Sequence, residues 1–182
     1  MPIDPLGFSL LSIARNAIDK HFGREAHTVT PHPMLAQLGA SFVTLTQNSQ
    51  LRGCIGSLEA YRPLATDVAE NAVAAAFRDP RFPPLTREEL DRTRVEVSLL
   101  EPSEPLAFTD EADAIARLRP GVDGVILAHG SRRATFLPQV WESLPDPQRF
   151  MAQLKLKAGL PASFWDEEIT LARYGVQKWK EA

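Results

Sequence analysis

The sequence has one cysteine and no long apolar run, and these two shortages exclude several classes of protein. A single cysteine among 182 residues cannot form an internal disulfide, which favours a reducing compartment. No stretch reaches the roughly 20 apolar residues that a membrane-spanning helix needs. The first residues also lack a basic segment followed by an apolar one, so we expect no secretory signal and a cytoplasmic location.

An excess of positive charge is missing as well. The chain carries 20 Lys and Arg against 23 Asp and Glu, a formal net charge of -3. Domains that bind nucleic acid normally have a basic balance or a basic stripe. Nucleic acid is therefore disfavoured as the main partner, and an RNA-binding regulator ranks last among the functions considered.

Sequence signatures of bound cofactors are also absent. No glycine-rich loop of the kind that cradles a phosphate or a dinucleotide occurs, so we predict no cofactor. The four histidines, His21, His27, His32 and His129, do not form a recognised metal-binding spacing. With one cysteine in addition, we predict no metal site.

What the sequence does contain is ordinary globular composition. Hydrophobic residues make up 44% and charged residues 24% of the chain, which is enough apolar material for a core. The length fits one domain, with room for a small subdomain. We therefore expect a single domain over residues 1–182.

Helical and strand patterns alternate along the chain. Apolar spacing of three and four residues indicates helices, and alternation of apolar and polar residues indicates strands. This interleaving predicts an α+β or mixed α/β fold, in which a mixed sheet with hairpins packs against helices. The main expected elements are helices at 6–22, 63–77, 110–118 and from 147, and strands at 41–47, 51–57, 95–99, 122–129, 134–137 and 169–179.

The segment Leu-Arg-Gly-Cys-Ile-Gly at 51–56 is the first candidate site. Cys54 lies between Gly53 and Gly56, where missing side chains would let a ligand approach the backbone. In a regular strand Arg52 would share a face with Cys54 and would favour the thiolate. The alternative is that Cys54 is a buried apolar residue, which free cysteines often are.

Three further groups of residues are candidates for ligand binding. Arg78, Asp79 and Arg81 either grip a carboxylate or phosphate, or form a structural clamp for a proline-rich loop. Arg132 lies in an expected turn at 130–133 and either binds an anion or a partner, or is simply solvated. Gln139 is a polar group in an otherwise apolar segment, where it reaches a ligand or satisfies backbone groups.

Several strings of residues resemble the AMMECR domain family. The segment at 52–56 continues as Leu-Glu-Ala-Tyr-Arg-Pro-Leu at 58–64, and the match goes on through residues 67–72, 77–82, 96–100 and 135–141. Members in bacteria and archaea include a component of a system with a Memo-like protein and a radical SAM protein. The resemblance therefore implies those partners and no defined reaction. We also expect an unknown small molecule as a partner at the candidate site.

Two functions of different kinds are open at this point. In the first, Cys54 is a nucleophile or covalent carrier, supported by Arg52, and the arginines at 78 and 81 hold an acidic small molecule or protein group. Its weakness is that no histidine lies nearby in the sequence to act as a general base, although His32 or His129 could fold in. In the second, the domain is a non-catalytic binding or scaffold module that presents the same segments to a ligand or partner.

Overall fold

The computed structural model describes residues 4–182 and divides them into two compact units. The first unit runs to Leu100 and includes the C-terminal segment Gln177–Ala182, and the second unit is Glu101–Val176. Within residues 4–182, no helix has both the length and the apolar character that crossing a membrane would require. The expectation of one domain over residues 1–182 stays a prediction.

Residues 4–182 form four α-helices and eight strands, and the α+β prediction is confirmed. Three short 3₁₀ turns lie at Pro33–Ala36, Arg87–Arg92 and Pro138–Glu142. The elements in chain order are α1 (Pro5–His21), β1 (Ser41–Gln47), β2 (Gln50–Gly56), α2 (Leu64–Phe77), β3 (Thr93–Leu100), β4 (Glu104–Leu106), α3 (Glu111–Arg117), β5 (Gly124–His129), β6 (Arg132–Phe136), α4 (Pro147–Lys157), β7 (Thr170–Tyr174) and β8 (Val176–Lys180).

The first unit is a four-stranded sheet in the order β2-β1-β3-β8, with α1 and α2 in its core. Strand β1 pairs antiparallel with both β2 and β3. Val43 and Leu45 alternate inward along β1 and are fully buried among the apolar residues of both helices. Asn48 and Ser49 join β1 to β2 with positive φ angles of 49° and 63°, the conformation of a tight two-residue hairpin turn.

Helix α2 lies unusually close to β2, and Gly53 is the reason. A Cβ atom at position 53 would overlap the carbonyl oxygen of Ala75. The helix contributes Ala72, Ala75 and Ala76 to the core, all of them buried. Small residues on both elements thus let the helix backbone approach the strand backbone directly.

A buried carboxylate ties the start of β1 and the end of β2 to α2. Asp67 is fully buried, and its Oδ2 accepts hydrogen bonds from the backbone N–H (2.8 Å) and hydroxyl (2.7 Å) of Ser41. Its Oδ1 accepts from the hydroxyl of Ser57 (2.6 Å) and from Nε of Arg62 (2.8 Å). Asn71 donates to Oδ2 (3.1 Å) and to the Ser41 carbonyl (3.0 Å). Five donors offset the cost of burying this charge.

The second unit is a smaller sheet in the order β4-β7-β5-β6, with α3 and α4 contributing to its core. Asp146 caps α4 through the Gln148 N–H, and Pro147 occupies its first turn, as the sequence predicts. The core centres on Phe150, whose ring stacks on Trp141 at 3.7 Å between centroids. The Trp141 indole N–H donates to the carbonyl of Asp123, so the buried ring leaves no unpaired donor.

Three expectations about individual elements were wrong. The C-terminal run at 169–179 is two strands, β7 and β8, which lie on either side of Gly175 and belong to different sheets. The short strand β4 was not predicted, because Pro105 at its centre is typical of a break. The turn after β5 contains only Gly130 and Ser131, so both arginines that follow it belong to β6.

Replacing Gly53 with alanine tests how closely α2 packs on β2. The added methyl group would push against the Ala75 carbonyl, which is backbone and cannot rotate away. We expect Gly53→Ala to lower the free energy of unfolding by about 2–3 kcal/mol, measured by urea denaturation. Gln50→Ala, at an exposed position of the same strand, is the control; equal stability of the two variants would contradict the packing described.

Candidate functional site

The cysteine lies on the outermost strand of the first sheet. Cys54 is half-buried, and it pairs with Thr44 of β1 across the ladder. Its Sγ lies 3.3 Å from the Thr44 hydroxyl oxygen, within hydrogen-bonding distance for sulfur. The thiol is therefore neither a fully buried core residue nor a freely exposed one.

The loop that follows α2 covers the outer edge of β2 at this residue. The backbone N–H of Cys54 donates to Oδ2 of Asp79 (3.0 Å), and Nη2 of Arg81 donates to the Cys54 carbonyl (3.3 Å). A neighbouring strand would make the same two kinds of bond. The two side chains thus close an edge that would otherwise be open to pairing with another chain.

Asp79 and Arg81 are themselves a tightly bonded ion pair. Nε and Nη2 of Arg81 donate to the two carboxylate oxygens of Asp79, at 3.0 and 2.7 Å. The Arg81 hydrogen bond holds the pKa of Asp79 well below its usual range against the opposing effect of burial, and the Cys54 N–H adds to this. The Asp79 side chain is 2% exposed and that of Arg81 54% exposed, so the charge that faces solvent is the guanidinium.

Arg52 is committed to a different carboxylate. The register between β1 and β2 shifts at this residue, and the bulge interrupts the two-residue alternation that would place it beside Cys54. Its Nε and Nη2 donate to Glu89 at 2.9 and 3.2 Å, and Nη2 also donates to the Pro83 carbonyl at 2.9 Å. Its buried Nη1 has no hydrogen-bond partner among residues 4–182. The hypothesis that Arg52 stabilises a thiolate stays a prediction.

The side chain of Phe82 lies beside both arginines. Its ring centroid is 5.5 Å from the guanidinium carbon of Arg81 and 5.9 Å from that of Arg52. An aromatic face at this distance attracts a cation and restricts where it can move. Phe82 therefore helps to fix the positions of two charges that the loop brings to the edge of β2.

The two glycines of the segment face occupied space. The α2 backbone fills the position next to Gly53, and the ring of Phe42, the cross-strand partner of Gly56, covers Gly56. The packing of α2 and of the Phe42 ring thus requires that positions 53 and 56 have no side chain. That a ligand approaches the backbone at these positions stays a prediction.

The remaining candidates have contacts of their own. Arg78 is the C-cap residue of α2, is 60% exposed and comes within 3.9 Å of Glu70. Arg132 and Gln139 belong to the second unit, where both are exposed. Nη1 of Arg132 donates to the carbonyl of Gly159 (2.8 Å).

The histidines of the first unit have contacts of their own. His21 stacks on Phe77, with 4.1 Å between centroids. His27 lies 3.7 Å from Asp19, and His32 accepts a hydrogen bond from the Met34 N–H. None of these three contacts involves the thiol.

Sequence reasoning missed Glu89 and Asp67 as parts of this region. Thr86 and Glu89 form a capping box, in which the Thr86 N–H donates to Glu89. The same carboxylate also pairs with Arg52, 37 residues away, and no local pattern signals that contact. Asp67 lies in the first turn of α2, where the helix dipole favours a negative charge, and its burial depends on strands that lie elsewhere in the sequence.

Comparison with known proteins gives the family of this chain. A family model described as AMMECR1 matches residues 11–179. The chain belongs to the AMMECR1 family. A protein of Methanothermobacter thermautotrophicus is 40% identical over 96% of this chain and 94% of its own length. Protein MJ0810 of Methanocaldococcus jannaschii is 35% identical over 92% of this chain and 86% of its own.

The AMMECR1 fold is also known from a crystal structure. That of uncharacterized protein PH0010 from Pyrococcus horikoshii matches with a TM-score of 0.82 and 33% identity. The match covers 98% of this chain and 93% of that one. The α+β architecture described above is therefore similar to that of the Pyrococcus horikoshii protein.

The Arg52–Glu89 pair predicts how stability depends on pH. The Arg52 hydrogen bond lowers the pKa of Glu89 to about 2, against the opposing effect of burial. Because the folded-state pKa is depressed, this stabilisation is complete above pH 5 and is lost as the pH falls towards 2. Removing the charge should therefore lower the free energy of unfolding at pH 7.

We therefore expect Glu89→Gln to unfold at a lower urea concentration than the wild type at pH 7. The difference in free energy of unfolding between the two proteins should fall by more than half at pH 3. Glu88→Gln removes the charge of the neighbouring exposed carboxylate and serves as the matched control. A gap between wild type and Glu89→Gln that is the same at both pH values would show that the ion pair does not contribute as described.

Proposed function

We propose that this AMMECR1 protein binds an acidic group, of a small molecule or of a partner protein, at the outer edge of β2. The observation that carries the proposal is the half-exposed guanidinium of Arg81, which is bonded to the backbone of the residue that bears the only thiol. A charge held in one orientation at the surface is prepared for recognition, because little side-chain entropy is lost on binding.

The chemistry of Arg81 supports an anion as the ligand. Asp79 uses Nε and one of the two terminal nitrogens, whereas a guanidinium has five N–H donors in a planar fork. Donors on its outer side therefore remain for a carboxylate or phosphate. Arg78, three residues earlier and 60% exposed, adds positive charge to the same loop.

We further propose that the protein acts as one component of a multi-protein pathway. The resemblance to family members that belong to a three-component system supports a role beside a Memo-like protein and a radical SAM protein in the cytoplasm. In that setting the acidic group is either a small molecule passed between components or a side chain of one of them. The net charge of -3 weighs against RNA as the ligand.

Thiol chemistry at Cys54 is the second candidate. The hydroxyl of Thr44 within 3.3 Å of Sγ favours it, since that contact orients the sulfur. Thiol chemistry ranks second because the Thr44 hydroxyl that contacts Sγ is not a base. In addition, Arg52, the proposed activator of the thiol, is paired with Glu89. We therefore favour binding without covalent catalysis.

The single thiol makes the binding site measurable. Alkylation of Cys54 by iodoacetamide, followed by intact mass, reports on a ligand beside it. We expect citrate to slow the alkylation in a saturable way, and Arg81→Gln to raise the half-effective citrate concentration at least about tenfold through loss of a charged hydrogen bond. Arg24→Gln, which removes another exposed, ion-paired arginine, should behave like the wild type.

The same assay separates the alternatives. Protection by a purified Memo-like or radical SAM protein, but not by citrate, would identify the acidic group as part of a protein. A thiol that is alkylated faster than free cysteine would favour the catalytic candidate, and one that reacts only after unfolding would exclude it. No protection by any of the three probes, together with no citrate-induced rise in melting temperature, would contradict the proposed function.

A further inference from the structure

The second unit brings together three side chains that are typical metal ligands. His129 is the last residue of β5, and Asp166 and Glu168 lie just before β7. Strands β5 and β7 are antiparallel neighbours, with Ala128 paired to Thr170. The pairing therefore places the end of β5 beside the segment that precedes β7. It brings together His129 and Asp166, which are 37 positions apart in the sequence.

The distances between the three groups are short. Nε2 of His129 lies 2.8 Å from Oδ2 of Asp166 and 3.9 Å from Oε2 of Glu168. One ligand atom from each of the three residues fits within 4.8 Å of the other two. Two ligand atoms bound at about 2.0–2.1 Å to one tetrahedral zinc ion would be roughly 3.3 Å apart, a value that lies between the two measured separations.

Two of the groups are held in place by neighbours that do not compete for a metal. Asp166 uses its other oxygen, Oδ1, to accept the backbone N–H of Glu168 at 2.9 Å, which directs Oδ2 towards the histidine. The edge of the Phe164 ring packs against the imidazole at 5.0 Å between centroids. Packing and hydrogen bonding of this kind around the ligands orient them in metal sites.

We propose that His129, Asp166 and Glu168 form a binding site for a divalent transition-metal ion, with Zn²⁺ as the first choice. One imidazole nitrogen and two carboxylate oxygens form a donor set that Zn²⁺ accepts, whereas Mg²⁺ and Ca²⁺ prefer oxygen alone. Three protein ligands leave a coordination position for water or for another ligand. This site is independent of the anion-binding site proposed on β2.

The sequence predicted no metal because its histidines have no recognised spacing. The cluster has one histidine, and its carboxylates lie near it only because β5 and β7 pair. A comparison within the chain shows what the third ligand adds. His27 also lies near a carboxylate, that of Asp19 at 3.7 Å, but no third group joins that pair among the described residues.

The test is calorimetric titration of Zn²⁺ into metal-free protein that carries Cys54→Ser, so that the thiol cannot bind the ion. We expect one Zn²⁺ per chain with a dissociation constant in the micromolar range or below. His129→Ala and Glu168→Gln should each weaken binding at least about tenfold, the size of effect expected for one protein ligand. Glu168 is 82% exposed, so its replacement should leave the fold intact.

The matched control is His27→Ala, which removes the histidine of the two-ligand pair and should leave Zn²⁺ affinity unchanged. Titration with Co²⁺ should give visible absorption bands that disappear in His129→Ala. The proposal is overturned if Zn²⁺ shows no saturable binding below about 1 mM, or if Glu168→Gln binds as tightly as the parent. Either result would leave His129 and Asp166 as an ordinary hydrogen-bonded pair.

Discussion

The carboxylate of Asp79 is the contact on which the arrangement at the edge of β2 depends. It accepts the outward N–H of Cys54 and two N–H groups of Arg81, and Arg81 in turn donates to the Cys54 carbonyl. With both backbone groups of Cys54 paired, an outer strand behaves locally like an inner one. The position of Asp79 follows from α2, which ends two residues earlier at Phe77, and Pro80 disfavours helix at the residue before it.

Most residues of the Arg-Gly-Cys-Ile-Gly segment are used to build the fold. Gly53 admits α2, Gly56 lies under Phe42, and Arg52 is held by Glu89. What the segment leaves for a ligand is the half-buried Cys54 and, from the adjoining loop, the guanidinium of Arg81. The proposed function rests on these two groups because the others already have partners within the protein.

Local patterns in the sequence predicted much of the fold. Strand β1 was expected at the residues where it occurs, and α2 begins one residue later than expected. Alternation, turn residues and caps are short-range signals, so they identify elements without their partners. The division of residues 169–179 between two sheets depends on strands far away in the sequence, and no local pattern contains that information.

The same limit applies to the candidate site. The alternation of a regular strand would place Arg52 on the same face as Cys54. The bulge at Arg52 interrupts that alternation, and no local sequence pattern indicates it. The Asp79–Arg81 pair was predicted as either a ligand grip or a structural clamp. The bonds of this pair to the Cys54 backbone depend on how the loop packs against β2, and no local sequence pattern contains that information.

Amide hydrogen exchange at Cys54 tests the central claim most directly. The claim is that Asp79 holds the outward N–H of this residue and so fixes the edge at which Arg81 contacts the Cys54 backbone. In Asp79→Ala we predict that the Cys54 amide exchanges at least about tenfold faster than in the wild type. The amide of Ile55 should keep its protection, because N–H groups alternate along a strand and this one points towards β1. Equal protection of the Cys54 amide in both proteins would contradict the account.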